Sequence, residues 1–210
     1  MLDLSLEQSL FADGYNLVGG IDEAGRGPLA GPVVAACVVL PANFRIDCPE
    51  LELVADSKKL TAKCREKLFN VIKQKAAAVQ ISAINNHAID RINILQSTFS
   101  AMRQAVAKLT IKPDFILVDG NLKIPGLEIP QKAIIDGDAK VFAIAAASII
   151  AKVSRDWLMA EADKLYPEYE FGKHKGYGTP RHLEKIREFG PCPLHRLSFA
   201  PFRPKEKSAV

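Results

Sequence analysis

Four carboxylates stand where chemistry on a phosphodiester could be done. Asp22 and Glu23 follow a short apolar stretch, Val18 to Ile21. Asp119 follows the run Phe-Ile-Leu-Val, and Asp138 follows Lys-Ala-Ile-Ile-Asp-Gly. Ligands of open α/β sheets gather at the carboxyl ends of strands, where these acids would lie. Clustered carboxylates repel and raise one another's pKa unless positive charge sits among them. Mg²⁺ or Mn²⁺ supplies that charge and prefers oxygen donors. Two such ions about 4 Å apart clamp the attacking and leaving oxygens of an in-line phosphoryl displacement. Each acid also has a plainer reading as a solvated loop residue, and Asp138 as a helix cap. Asp22 and Glu23 pose a further difficulty, because adjacent residues of a regular strand point to opposite faces.

Directly after the acid pair come Gly25, Arg26 and Gly27. Glycines let a backbone approach a ligand closely, and Arg26 offers a planar fork to phosphate. On spacing alone, a tight turn with a solvated Arg26 is the simpler account. The spacing is not that of a dinucleotide-binding loop. Tyr177 lies between Gly176 and Gly178, where an exposed ring can stack on a sugar or base or else anchor the loop. Lys58 and Lys59 are candidate phosphate contacts or solvated lysines of a first helical turn. Ser148 and Lys152 are four apart and share a helix face. His174, His182 and His195 lack the spacing of a metal trio. His182 is expected on a helix surface, and His195 with Arg196 is expected to anchor the C-terminal segment. No GxSxG nucleophile pattern occurs.

The elements that must position these residues can be read from periodicity. Strands are expected at Val18 to Ile21, Val33 to Leu40, Val79 to Ile84, Asp114 to Val118 and Lys132 to Ile135. Pro41 to Leu53 and Gly120 to Pro130 read as loops. Helices are expected at Lys58 to Ala78 with Ser57 as cap, Asn86 to Leu109, Lys140 to Leu165 and Pro180 to Phe189. The second of these spaces Ile89, Ile92, Leu95, Phe99, Met102 and Val106 for one buried face. The third is small and apolar at Ala143, Ala146, Ala147 and Ile150. Early strands followed by βαβ alternation indicate an α/β fold with a mixed sheet flanked by helices. Residues 1–165 form the expected core, and 166–210 a small helical or irregular extension contributing to substrate binding.

Bulk properties bound the function. At 210 residues the chain can bury a core without disulfides. Nine Lys and Arg against three Asp and Glu make Phe171 to Val210 basic, while the remaining residues carry a net charge of −2. A basic tail on a near-neutral body suits a polyanion, or simply aids solubility. Cys37, Cys48, Cys64 and Cys192 form no CxxC pair, so reduced, mostly buried thiols in a cytoplasmic protein are expected. No signal peptide and no apolar run of membrane-spanning length is seen.

Longer blocks carry a family resemblance. Gly20 to Ala36, GIDEAGRGPLAGPVVAA, resembles the opening signature of ribonuclease HII. Asp56 to Leu60 (DSKKL), Leu117 to Asn121 (LVDGN), Ile135 to Asp156, His174 to Thr179 (HKGYGT) and His195 to Phe199 (HRLSF) are similar to further blocks of that family, in the same order. The resemblance spans nearly the whole chain. It implies a ribonuclease H-like core with a helical C-terminal extension, and a metal-dependent type 2 ribonuclease H. The implied substrates are RNA/DNA hybrids and DNA containing ribonucleotides. Cleavage 5′ of a ribonucleotide, leaving 3′-hydroxyl and 5′-phosphate ends, is implied as well.

By the same resemblance, Asp22, Glu23, Asp119 and Asp138 are the catalytic acids, holding two divalent cations, Mn²⁺ or Mg²⁺. Gly25, Arg26 and Gly27 match the element that reads the ribonucleotide 2′-hydroxyl through backbone groups, the feature separating RNA from DNA. Tyr177 matches the tyrosine that packs on the sugar at the RNA-to-DNA junction. Family members often carry Lys-Gly-Asp at the fourth acid, whereas this chain has Asp136-Gly137-Asp138, which makes Asp136 a competitor. A type 3 ribonuclease H is set behind because only about twenty residues precede the first motif. A non-catalytic hybrid-binding module and a cofactor-binding α/β enzyme are the other rivals. A monomer is expected. A replication-clamp contact would need a peptide motif in Pro201 to Val210, and none is recognisable there.

Overall fold

The computed structural model describes residues 3–54 and 60–202. Five strands form one mixed sheet: β1 (Leu17–Ala24), β2 (Val33–Pro41), β3 (Ala78–Ile84), β4 (Phe115–Asp119) and β5 (Gln131–Ile134). Their order across the sheet is β3-β2-β1-β4-β5. The first three pair antiparallel, β1 and β2 through a short connection and β2 and β3 through the segment that carries two helices, while β4 lies parallel to β1 and β5 parallel to β4. The expected α/β class and mixed sheet are borne out.

Helices cover both faces. On one lies α6 (Phe142–Leu165), with α1 (Ser5–Ala12), α2 (Pro49–Glu52) and α3 (Ala62–Lys75) at its side. The other carries α4 (Asn86–Lys108), whose Phe99, Met102 and Val106 pack on Ile21, Cys37, Val39, Ile116 and Val118. The two apolar clusters divide the strands by alternate residues, as a pleated sheet buried on both sides requires. Beyond α6, a 3₁₀ turn (Pro167–Tyr169), α7 (Phe171–His174) and α8 (Pro180–Phe189) enclose a third cluster. It contains Ala30, Met159, Ala162, Tyr169, Phe171 and Ile186. Helix α6 crosses β1 at Gly20, where a Cβ would overlap the Ala143 carbonyl. That close approach brings the helix against the strand two residues before Asp22.

Several boundaries depart from expectation. Helix α3 begins at Ala62, capped by Thr61, whose hydroxyl accepts from the Cys64 amide. The expected cap Ser57 and the lysines Lys58 and Lys59 lie outside the described residues. The stretch read as loop from Pro41 includes α2, with Pro49 in its first turn. The long helix expected from Lys140 is split at the extended residue Val141, leaving a short α5 (Gly137–Lys140) before α6. Helix α4 is kinked at Asn93 (φ 65°), whose side chain accepts from the Gln96 amide and restarts the helix. The kink rotates the first two turns relative to the rest, so Ile92 is 38% exposed instead of sharing the buried face. Among the described residues, no helix is long and apolar enough to cross a membrane. All four cysteines are free thiols, and only Cys37 is fully buried.

Candidate active site

Asp22 and Glu23 lie within β1, not after it, paired across to Ala36 and Ala35 of β2. The parallel register of β1 and β4 matches Ile21 with Val118, which sets Asp22 level with Asp119 at the carboxyl ends of adjacent strands. Strand alternation turns Asp22 toward the α6 face, where burial leaves it 5% exposed. There its Oδ1 accepts from the Glu23 amide at 2.7 Å. Glu23 emerges at the strand end and pairs with Arg26 at 3.2 Å. Asp119 Oδ1 accepts from the Gly137 amide at 2.7 Å and the Asp138 amide at 3.4 Å, tying β4 to α5.

These acids feel one another. Burial, then the charges of Glu23 and Asp119, push the Asp22 carboxyl well above its ordinary range, against a hydrogen bond from Ser148. Burial raises Glu23 as well, with Arg26 pulling the other way and Asp119 adding to the rise. Burial also raises Asp119, opposed by the Gly137 amide and reinforced by Asp138. Asp138 therefore belongs to the same electrostatic cluster. It sits in the first turn of α5 and does not cap α6. The competitor Asp136 faces solvent, its side chain 74% exposed and 3.9 Å from Lys140. As the side chains stand, no three acidic, histidine or cysteine groups among the described residues are close enough to share one ion. Glu23 is turned onto Arg26, and Asp119 onto backbone amides. The donor chemistry nevertheless fits hard divalent cations: the donors are carboxylate oxygens, and their mutual repulsion would fall with positive charge between them.

Beside the acids opens a groove of about 510 Å³ lined by Glu23, Gly25, Arg26, Gly27, Arg65, Ser148, Lys152 and Tyr177, among others. Four separate stretches thus meet in one place: the end of β1 with the loop after it, Arg65 of α3, one face of α6, and the loop between α7 and α8. Tyr177 is 44% exposed. A Cβ on Gly27 would come 3.9 Å from its ring. Lys152 is held by Asp156 at 2.6 Å. The groove therefore offers backbone amides, an aromatic face and cations within reach of the carboxylates, the set of groups that a nucleic-acid strand engages.

Comparison with known proteins agrees with this geometry. The family model described as "Ribonuclease HII" matches residues 19–202. The chain belongs to the ribonuclease HII family. A ribonuclease HII of Endomicrobium trichonymphae is 54% identical over 94% of this chain and 91% of its own length. One from Desulfitobacterium hafniense is 56% identical over 93% of this chain and 73% of its own length. Among solved structures, the ribonuclease H2 of Pyrococcus horikoshii is similar at TM-score 0.73 and 32% identity, covering 89% of this chain and 95% of that one. The ribonuclease HII of Archaeoglobus fulgidus, solved in complex with PCNA, is similar at TM-score 0.70 and 27% identity, covering 90% and 97%. A type 2 ribonuclease H, an endoribonuclease of RNA/DNA hybrids, is the activity class of this family.

Within the ribonuclease HII framework of this chain, two buried arginines shape the loop that carries Gly25 to Gly27. Arg196 donates to the carbonyls of Gly25 (2.6 Å), Arg26 (2.9 Å) and Gly31 (3.0 Å). Arg155 donates to those of Ala30, Pro32 and Lys175, and its guanidinium lies 5.8 Å from the Tyr177 ring centroid. Gly25 has φ 97°, and a Cβ there would overlap Arg155. The expectation that Arg196 anchors the C-terminal segment holds, and its anchorage is the glycine loop itself. Sequence reasoning misses Arg155, because a charge on a long helix reads as solvated. It misses Arg65 of α3, which also lines the groove, for the same reason. The surface position expected for His182 is corrected by the structure, which buries it fully. Its face of α8 is covered by the C-terminal segment, whose His195 lies 3.1 Å away.

Proposed function

We propose that this chain hydrolyses the RNA strand of RNA/DNA hybrids and incises 5′ of ribonucleotides embedded in duplex DNA, leaving 3′-hydroxyl and 5′-phosphate ends. One observation carries the reading. Asp22, Glu23, Asp119 and Asp138 form a single repelling cluster at the ends of β1 and β4, beside a groove that presents Gly25, Arg26, Gly27 and Tyr177. Two divalent cations, Mn²⁺ or Mg²⁺, held by these four carboxylates would stabilise the charge that develops on the scissile phosphate.

The remaining work falls to the chain itself. Arg196 occupies the carbonyls of Gly25 and Arg26, which leaves the loop's amides to meet a 2′-hydroxyl. A site built to hydrogen-bond a hydroxyl discriminates strongly against a nucleotide lacking it. Tyr177 would pack on the sugar at the junction, and Ser148, Lys152 and Arg26 would hold the strand. Lys58 and Lys59 are proposed phosphate contacts on the strength of the family block alone. Residues 166–210 would act as a substrate-binding extension of a monomeric enzyme, and the four free thiols accord with a cytoplasmic setting.

The decisive experiment uses a DNA duplex with one embedded ribonucleotide and a continuous hybrid, each with Mg²⁺, Mn²⁺ or EDTA, with cut sites mapped to the nucleotide. A single cut 5′ of the ribonucleotide, abolished by EDTA, is expected. Cation-independent cutting, or binding without cutting, would overturn the reading.

A further inference from the structure

We propose that His174, His182 and His195 are positioning residues: three neutral rings whose hydrogen bonds run in one fixed direction and hold the Tyr177 peptide in the groove. The proposal rests on the junction reading of Tyr177 above. The direction follows from donors whose identity is certain. The Cys192 amide donates to His195 Nδ1 at 2.9 Å; the Cys192 carbonyl is farther from that nitrogen, at 3.3 Å, and already accepts from the His195 amide, so the geometry favours the His195 proton on Nε2. That Nε2 is 3.1 Å from His182 Nε2, which must therefore be the acceptor. The His182 proton is then on Nδ1, 2.9 Å from the Tyr177 carbonyl, and donates to it. His174 closes the arrangement from the other side. Its Nδ1 accepts from the Gly176 amide at 3.2 Å, and its Nε2 faces the Tyr169 carbonyl at 2.7 Å. Its own backbone carbonyl accepts from the Tyr177 amide at 2.9 Å.

Each ring thus has one tautomer that fits its nearest partners, and a second proton on His174 or His182 would set two N–H groups face to face. His174 and His182 stack with centroids 4.3 Å apart, a contact that suits neutral rings. His182 and His195 are buried beneath Phe171, and the titratable groups facing the pair are His174, Tyr169 and Cys192. Burial pushes His182 down to about 4 and lowers His195. Tyr177 itself is exposed on a loop whose Gly176 has φ 81°. Its carbonyl also accepts from the Thr179 amide at 2.8 Å, a bond inside the same turn. The His182 bond ties that turn to α8, while the Leu29 amide at the Gly176 carbonyl and Arg155 at the Lys175 carbonyl hold its leading end.

The test has a spectroscopic arm and a kinetic arm, both on the full chain. In ¹⁵N-histidine NMR at neutral pH, His182 is expected as the Nδ1–H tautomer and His174 and His195 as Nε2–H. A His182 in the Nε2–H form, or a charged ring, overturns the proposal. In kinetics, His182→Phe should lower kcat/KM on a single embedded ribonucleotide about tenfold more than on a long hybrid, the scale of one lost hydrogen bond. His182→Gln should recover most of it, since its amide can donate to the Tyr177 carbonyl and accept from His195. In a Tyr177→Ala background, His182→Phe should add no further selective loss. Equal losses on both substrates from His182→Phe, while Tyr177→Ala stays selective, would overturn the positioning role and leave the junction reading standing. An unselective Tyr177→Ala would instead bring down the junction reading, while the tautomers test the hydrogen-bond chain independently. Should the Phe variant not fold, the tautomers and the Gln variant decide.

Discussion

Glu7 Oε1 accepts a 2.8 Å hydrogen bond from the Ala143 amide, joining α1 to the N-terminus of α6 across 136 positions of sequence. Val141, at the N-cap position of α6, supplies no side-chain cap. The helix that carries Ser148 and Lys152 is thus capped by a carboxylate from the far end of the chain, where the macrodipole favours negative charge. Removing it in Glu7→Ala should cost about 1–3 kcal/mol, the penalty of an orphaned buried donor. Glu7→Gln keeps an acceptor for the amide. Burial raises the Glu7 carboxyl above its ordinary range, so the folded state binds this proton more tightly than the unfolded state. Its contribution is full below the unfolded pKa and declines as pH rises through the folded one. The melting temperature of Glu7→Gln relative to the native chain should therefore climb as pH rises above about 4.5. A gap that stays constant with pH would show that Glu7 ionises without penalty.

Asp119→Asn should abolish cutting and leave the fold intact. The Asn carbonyl can still accept from the Gly137 amide, while one member of a repelling cluster is neutralised. In EDTA the variant should melt at or above the native temperature, since acids gathered for function commonly cost stability. Added Mn²⁺ should raise the native melting point more than the variant's, because a ligand stabilises the state that binds it. Full activity in a well-folded variant would remove Asp119 from the site.

How much of this was legible in the sequence depends on where each signal sits. The strands of the sheet and α8 are continuous in pattern, and α8 begins at Pro180 and ends at Phe189, as its Pro and Gly190 punctuation indicates. The acids at the ends of β1 and β4 follow apolar runs that announce them. The Asn93 kink carries no such mark, because one Asn in a helical pattern is ordinary until it adopts positive φ. Arg155, Arg196 and His182 are polar residues whose burial depends on segments distant in the chain: Arg155 bonds Ala30, Pro32 and Lys175, and Arg196 bonds Gly25. Periodicity within one helix cannot report partners that only the fold supplies.

Tyr177→Ala should separate the two substrate types. The ring lines the groove beside Gly27 and contributes a face, not a charge, so it matters most where one sugar must be placed. Loss of base or sugar stacking is worth about 1–3 kcal/mol. On that scale kcat/KM for a single embedded ribonucleotide should fall roughly tenfold to a hundredfold. A long hybrid offers many equivalent registers and should suffer less. Steady-state kinetics on both substrates measures the ratio directly, and equal losses would count against a junction contact.

Acid should loosen the C-terminal lobe before it touches the sheet. Burial holds His182 down at about 4 against an ordinary value near 6.5, so between those pH values the unfolded chain binds more protons than the folded one. Stability from this group is complete above about 6.5 and is lost as pH falls toward 4, amounting to up to about 3 kcal/mol. Glu7 slopes the opposite way, so the native profile alone mixes the two. His182→Gln, which cannot take up the proton, isolates the histidine by difference: between about pH 6.5 and 4.5 its melting temperature should fall less than that of the native chain. Hydrogen exchange should show the earliest opening at the Tyr177, His182 and Cys192 amides. A variant whose acid profile parallels the native one would place the titrating group elsewhere.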